Sequence, residues 1–395
     1  MIKTKIIRKG EIFVLLGLII FTFLLANEPQ KADWKGKVLQ EEGVRVVVNP
    51  PEPIYGKIEL AFQEDLRIGS ESNSQSQFYR VRDVAVDSQG NIYVGDMSNC
   101  RVQKFDPTGK YLQTIGRSGQ GPGEFERPTL IRFAPQTGDI LVKDQIRRIN
   151  IFNNQGTFIR ALNIEGGFID FCPVSSGDLF AILYSGSDEE LTSSHTLGLL
   201  DHDGNLQSRL LQFPTNIYMK RMGQGIMVVG TGYELSMYLA QLDESTLVFG
   251  FSKEYQLIMI GSDGRTLLRI RKEEPPPKFT AKEKKDFGKI PVPSVKPYFF
   301  GLLTDSEGRI FVQRNMNEQG KRGFGPIAVE DKAVDVFSND GHFLCQTTLP
   351  PSARVIRGDR VYSYFVDEDK GMEYVQRFRV KNWDALPKGI TSQAR

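Results

Sequence analysis

A single pattern returns at intervals along residues 84–380, and repetition on this scale decides the fold before any individual residue does. Its clearest copy starts at Val84 with an apolar strand, the turn Asp87-Ser-Gln-Gly-Asn91 and a second alternating strand ending at Tyr93-Val-Gly-Asp96. A third strand, Arg101-Val-Gln-Lys-Phe105, leads through a Pro-Thr-Gly turn at 107–109 into a fourth. Asp, Asn and Gly suit such turns because their side chains bond the local backbone or tolerate positive φ. Four antiparallel strands joined this way cannot bury both faces alone, so the copies must pack on one another.

The order recurs from Gly138 to Gly156, from Gly177 to Gly204, from Ser245 to Gly264, from Gly308 to Gly341, and from Gly358 to Val380. The last copy lacks its outer strand, and the other end of the chain supplies one. Leu66-Arg-Ile-Gly69 precedes Phe78 by the same nine residues that separate Gln113-Thr-Ile-Gly116 from Phe125. The segment near 57–68 therefore reads as a fourth strand with no blade before it, which completes blade six and removes the open edge of the ring. The expected fold is all-β: a six-bladed β-propeller of four-stranded antiparallel blades, closed by an N-terminal strand completing the last blade.

The strand–Asp-x-x-Gly-Asn–strand core, Tyr93 to Asp96 and Arg101 to Phe105 resemble the NHL repeat, and the pattern over residues 43–383 resembles the six-bladed propellers exported by many bacteria, within the TolB-like superfamily. The likeness is tight in blades one and two and loosens from blade three, where Ser245 stands for a turn Gly by blade four. The resemblance implies that Asp96 with Arg101 and Asp144 with Arg148 are structural braces. It implies fold far more than activity.

Apolar residues make up 40% of the 395, enough for a full core, and charged residues 25% with a net charge of +2. That balance offers no positive field for a phosphate backbone, so no nucleic acid partner is expected. Lys3, Lys5, Arg8 and Lys9 precede an uncharged run over 12–26. A basic start followed by about 15 apolar residues, short of the roughly 20 of a comfortable span, reads as a signal peptide. Leu24, where a cleavage site calls for a small side chain, keeps an uncleaved membrane anchor as the alternative. Loss of 1–26 lowers the net charge by three, from +2 to −1. The expected order is signal peptide or anchor 1–26, linker 27–42, propeller 43–383 and C-terminal tail 384–395. Within the propeller, 271–297 holds six prolines and reads as a connector with a short helix after Thr280, or as a lid over the channel. Cys100, Cys172 and Cys345 show no pairing pattern and read as small buried hydrophobes.

Chemical motifs are few. Gly116-Arg-Ser-Gly-Gln-Gly-Pro-Gly-Glu-Phe125 has Pro122 where a phosphate-binding loop needs Lys, so it reads as an inter-blade loop. Gly223, Gly225, Gly230 and Gly232 flank a strand. His195, His202 and His342 are the whole histidine stock, and two of them lie in outer turns, too dispersed to hold the zinc of propeller lyases. The acidic runs Asp188-Glu-Glu190 and Asp367-Glu-Asp369 fall in loops, unlike the calcium ligands of propeller lactonases, and Asp201-His-Asp-Gly204 lacks the closing Glu of a calcium loop. No catalytic residue, cofactor or metal site is expected. Arg80, Arg127 and Tyr298 lead into innermost strands and are the candidate ligand-binding residues, suited to an anionic or carbohydrate ligand if they ring the channel mouth. The leading expectation is a monomeric, exported, non-enzymatic binding module for a protein, peptide or glycan, touching membrane only through its N-terminal segment. A channel-centred metal-dependent hydrolase or lyase and a structural subunit of an envelope complex are the alternatives.

Overall fold

In the second strand of a blade every side chain can be apolar, because both faces of the sheet meet a neighbouring blade, whereas the outermost strand must alternate. The computed structural model follows this rule: Ile92–Asp96, Ile140–Asp144 and Ile310–Gln313 are buried throughout, while Tyr111–Ile115 alternates. It describes residues 33–187, 192–222, 225–229, 233–287, 292, 294–314, 332–367 and 369–390. The segment 1–26 read as signal peptide or anchor, the acidic run at 188–190 and Glu368 lie outside them. The described fold is the unit Lys35–Arg395.

Six blades, each of four antiparallel strands, form the ring. From the channel outward, blade one comprises Val81–Val86, Ile92–Asp96, Arg101–Phe105 and Tyr111–Ile115. Blade two comprises Pro128–Phe133, Ile140–Asp144, Arg148–Phe152 and Phe158–Asn163, and blade three Phe168–Pro173, Leu179–Ser187, Thr192–Leu200 and Leu206–Pro214. A hairpin of Tyr218–Met222 and Gly225–Val229 is inserted before blade four, whose strands are Met237–Gln241, Thr246–Phe251, Gln256–Gly261 and Thr266–Lys272. Blade five comprises Gly301–Thr304, Ile310–Gln313, Lys332–Phe337 and Phe343–Leu349. Blade six has Ala353–Arg357, Arg360–Asp367 and Met372–Val380, and its outer strand is Phe62–Ile68, paired antiparallel from Val375↔Ile68 to Val380↔Phe62. The ring thus closes with the N-terminal strand the spacing predicts.

The turns are rigid for a local reason. Asp87 accepts the backbone N–H groups of Gln89 and Asn91 at 2.9 Å each, Gly90 takes φ +85°, and Asn91 Nδ2 returns a bond to Asp87. Asp201 does the same for Asp203 and Asn205, so its carboxylate is spent on the turn, as befits an Asx turn.

Apolar clusters fill the joints between neighbouring blades, for example Ile68, Phe78, Val84, Phe105, Tyr364 and Val375 between blades six and one. The joint between blades four and five combines the rings of Tyr255, Phe299, Phe337 and Phe343 with a buried ionic network. There the Asp335 carboxylate accepts from Lys272 Nζ at 2.8 Å, Tyr255 OH at 2.5 Å, Arg314 Nη1 at 3.1 Å and Gln346 Nε2 at 2.8 Å. Glu274 pairs with both Lys272 and Arg314. Burial alone would raise the Asp335 carboxyl, but Lys272 and Arg314 hold it below its ordinary value.

Three expected boundaries are corrected. Within the segment read as linker 27–42, Lys37–Glu41 is a strand, hairpinned to Val44–Asn49 across Glu42 and Gly43, which both take positive φ. Val44–Asn49 then runs parallel to Thr266–Lys272 with Val47 opposite Ile270, so blade four carries two extra strands. The connector begins after Lys272, because Arg271 and Lys272 end the outer strand of blade four; its helix, Ala281–Asp286, follows Thr280 as expected. The tail is docked as far as Gly389, whose carbonyl accepts from the Tyr55 hydroxyl at 3.1 Å. Trp383 and Leu386 are buried on blade five, Arg309 stacks on Trp383 at 4.7 Å, and Arg309 Nη1 donates to the Leu386 carbonyl at 3.0 Å. Cys172 and Cys345 are buried and free, but Cys100 is half-buried with its Sγ donating to the Glu126 carbonyl.

Candidate functional site

The expected braces have a defined geometry. Asp96, fully buried, accepts the Tyr79 N–H at 2.9 Å and Arg101 Nε at 2.9 Å, and Arg101 Nη2 donates to the carbonyls of Ser74 and Gln77 at 2.9 Å. Asp144 accepts the N–H groups of Glu126 and Arg127 at 3.1 and 2.6 Å and the Arg148 guanidinium. Each pair ties the end of a second strand to the loop that leads into its own blade. Gln103 and Asn150, central in the third strands, reinforce those loops through the carbonyls of Gln75 and Glu124.

These braces leave Arg80 and Arg127 with pinned backbones and exposed side chains. Arg80 takes φ +58°, and its N–H donates at 2.9 Å to Glu373 of blade six. Tyr298 does not join them. It is buried, 5.8 Å from the Tyr255 ring, with its hydroxyl donating to the Glu274 carbonyl, because the blade-five lead-in turns inward toward the ionic network. None of the three lines the channel.

A cavity of about 1500 Å³ occupies the central channel between the innermost strands of all six blades and continues outward along blades one and two past Lys104, Leu112, Gln113, Asn154 and Gln155. Its wall is two-sided. On blades six, one, two and three an alternating array of charge runs around the lumen: Arg354, Asp83, Arg132, Asp170. Asp83 accepts the Ile131 N–H at 2.8 Å and Arg132 Nη1 at 3.1 Å, and Arg132 Nη2 donates to Asp170 at 2.8 Å. One guanidinium thus bridges carboxylates on both neighbouring blades. Burial pushes the Asp83 carboxyl above its ordinary value against the pull of Arg132 and Arg354. Burial alone would ease the proton from Arg132, but Asp170 and Asp83 outweigh it and hold the guanidinium charged. The innermost strands of blades four and five face this arc with neutral groups, among them Tyr238, Leu239 and Leu302, with Phe300 just before the blade-five strand; Asp243 and Glu244 stand in the turn that follows Met237–Gln241.

The signal for this array was in the sequence: Asp83, Arg132, Asp170 and Arg354 are charges inside largely apolar first strands, accompanied there by Arg82 and Arg357. Repeat analysis weights what recurs, and these residues differ from blade to blade. Among the described residues of the connector, none lines the channel; Phe279 and Phe287 pack on the Tyr233 ring at 5.0 and 5.8 Å, beside the lead-in to blade four.

The histidines do not converge. His202 is exposed in its turn, His342 pairs with Asp340 on blade five, and His195 is buried in the third strand of blade three. Among the described residues no three His, Cys, Asp or Glu side chains gather as metal ligands. His195 Nδ1 accepts the Met237 N–H at 3.3 Å, joining blades three and four, and burial lowers its pKa to about 4. The unfolded chain takes up a proton near pH 6.5 that the fold refuses until about pH 4. Stability should therefore fall by about 3 kcal/mol as pH drops across that window, with no contribution above it. Urea titrations at stepped pH, with His195→Gln as reference, should show this component in the native chain and not in the variant.

A family model, DUF5128, described as a 6-bladed beta-propeller, matches residues 70–223, which hold blades one to three. The Drosophila melanogaster protein brain tumor is 32% identical over 88 residues, 22% of this chain and 8% of its own length. Peptidylglycine alpha-amidating monooxygenase of Rattus norvegicus is 32% identical over 96 residues, 22% of this chain and 10% of its own. The chain thus spans a tenth or less of these curated relatives. A solved structure from Bacteroides fragilis, named as an exported-protein candidate, superimposes with TM-score 0.51 at 11% identity, covering 85% of this chain and 99% of that one. At that identity the likeness is one of fold alone. Over residues 70–223 the chain is similar to the 6-bladed beta-propeller family, and the blade count of the whole ring agrees with that description.

Proposed function

We propose that this chain is an exported binding module that takes part of a peptide, protein or glycan ligand into its central channel. The observation that carries the reading is the two-sided wall, ionic on the innermost strands of blades six to three and neutral on those of blades four and five, around an open volume of about 1500 Å³. Ligand sites commonly combine such an apolar surface with a few fixed polar groups. The basic start and the uncharged run 12–26 support export. Ile169 stands on the blade-three wall and is 39% exposed, so Ile169→Trp should obstruct the lumen with little effect on the fold. In a thermal-shift panel of short peptides and oligosaccharides, a ligand at about 100 times its Kd stabilises by about 2.7 kcal/mol. Such a shift is expected in the native chain and not in Ile169→Trp; equal shifts in both would refute channel binding.

One observation favours a second reading, a channel-centred hydrolase or lyase: Asp83 is a buried lumenal carboxyl with a raised pKa, and perturbed acids cluster at catalytic sites. The metal-dependent form of that reading predicts stoichiometric zinc or calcium in elemental analysis of the purified protein, where the binding module predicts neither.

A further inference from the structure

Of the charges around the channel, Arg354 alone in the Arg354–Asp83–Arg132–Asp170 array lacks an ion-pair partner among the described residues. Arg132 is committed to Asp83 and Asp170 together. Arg354 is held instead by Tyr364, whose hydroxyl accepts from Nη2 at 3.1 Å and whose ring lies 5.2 Å beneath the guanidinium. That arrangement fixes one edge and one face of the group, and Nε and Nη1 donate to no described residue. A guanidinium so restrained offers a bidentate edge to a carboxylate at little further entropic cost.

On the adjoining blade five, at the same end of the channel, stands a second uncommitted group. Gln313 is nine-tenths buried, yet its side-chain amide makes no hydrogen bond with a described residue. It lies across Gly301, where an added Cβ would meet Gln313 Oε1 at 2.2 Å, so the absence of a side chain at 301 is what makes room for the amide. Buried polar groups are ordinarily satisfied, and one facing a lumen can be satisfied by what enters. Arg354 is the second residue from the start of its inner strand, and Gln313 pairs with Gly301 at the start of the neighbouring one.

We propose that the channel receives a carboxylate flanked by an amide or hydroxyl, with Arg354 binding the carboxylate and Gln313 its polar neighbour. The terminus of a peptide and a sugar acid both carry this chemistry. Tyr238 and Phe300, on the neutral wall, would take the apolar or ring portion. The proposal rests on the channel-binding reading above and adds the ligand class to it.

The test is isothermal titration of the full chain with three probes: N-acetyl-Phe-Gly with a free carboxylate, the same dipeptide as its C-terminal amide, and trigalacturonic acid. Binding of the free dipeptide or of the uronate, whichever source is correct, is expected to weaken about 10–100-fold in Arg354→Gln, with partial recovery in Arg354→Lys, as a charge-assisted pair requires. Gln313→Leu should weaken it less, and the amidated dipeptide should bind native protein no better than the free one binds Arg354→Gln. The melting temperature of each variant, measured alongside, guards against misfolding. Equal affinity for free and amidated dipeptide, unchanged affinity in Arg354→Gln, or no binding of either carboxylate probe overturns the proposal. If a probe ignores Arg354→Gln but is excluded by Ile169→Trp, the anchor is wrong and channel binding stands; if it ignores both, both readings fall.

Discussion

A chain that begins at Ser70 is expected not to form the ring at all. It lacks Phe62–Ile68, so Met372–Val380 becomes an open edge, and the Ile68 contribution to the joint between blades six and one is lost. The effect should extend further upstream than strand pairing alone suggests. Residues 44–58 form a belt across the outside of blades four and five. Asn49 donates to the carbonyls of Gly341 and Arg271 and accepts the Phe343 N–H, and Ile54, Tyr55 and Ile58 donate to the carbonyls of Phe343, Leu344 and Gln346. Val46, Val47, Val48 and Ile54 are buried. Their burial is worth on the order of 6–12 kcal/mol together, comparable with the roughly 5–15 kcal/mol that separates folded from unfolded states. A chain beginning at Lys57 keeps the outer strand and loses the belt, and it should melt more than about 10 °C below a chain beginning at Lys35. Calorimetry of the three truncations decides the matter: a Lys57 chain that melts within a few degrees of the Lys35 chain would show that the belt is decoration. Adding residues 35–69 as a separate peptide should restore a cooperative transition to the Ser70 chain.

Replacing Asp335 by Ala should cost about 3–5 kcal/mol, the largest loss expected from any single side chain described above. Four hydrogen bonds end on that carboxylate, and its removal leaves Lys272 and Arg314 to share Glu274 in a site where Lys272 is almost wholly buried. The cost comes from stranded charge rather than lost packing. For that reason the double variant Asp335→Leu with Lys272→Met should recover at least half of it, since matched apolar replacement of a buried pair is commonly tolerated. Urea unfolding with an unchanged m-value would read both numbers. Failure of the double variant to improve on Asp335→Ala would place the cost in geometry instead. The Asp335 carboxyl is held below its ordinary value, so its contribution is complete above the unfolded carboxylate pKa, about pH 4, and disappears as pH falls through the still lower folded value.

The blade count and the closing strand were legible because they depend on recurrence: Asp87 to Asn91 and Asp201 to Asn205 build the same turn with the same bonds, and the Gly69–Phe78 spacing copies Gly116–Phe125. The belt was not legible, because Lys37–Glu41 and Val44–Asn49 occur once and join through a two-residue Glu-Gly turn. Tyr298 illustrates the opposite failure. It stands at the position of Arg80 and Arg127 in the repeat, but its phenol is drawn into the network around Glu274 and Asp335, which blades one and two do not possess. Equivalent position in the repeat did not carry over its side chain's surroundings. The channel array was hidden for a related reason: the residues that give each blade its individual chemistry are those a repeat profile averages away.

Closure by an N-terminal strand also sets a schedule for biosynthesis. Gln376 bonds Glu64 across 312 residues of chain. At roughly 5–20 residues per second of synthesis, Phe62–Ile68 waits on the order of 15–60 s for its partner to exist. Throughout that interval the strand's backbone groups have no native place to go, while the belt valines find theirs once Thr266–Lys272 has been made. The ring therefore cannot close before Met372–Val380 has been made. A product that stops short of Met372–Val380 carries the same unpaired strand permanently, and so presents proteases with a mark that separates unfinished chains from finished rings.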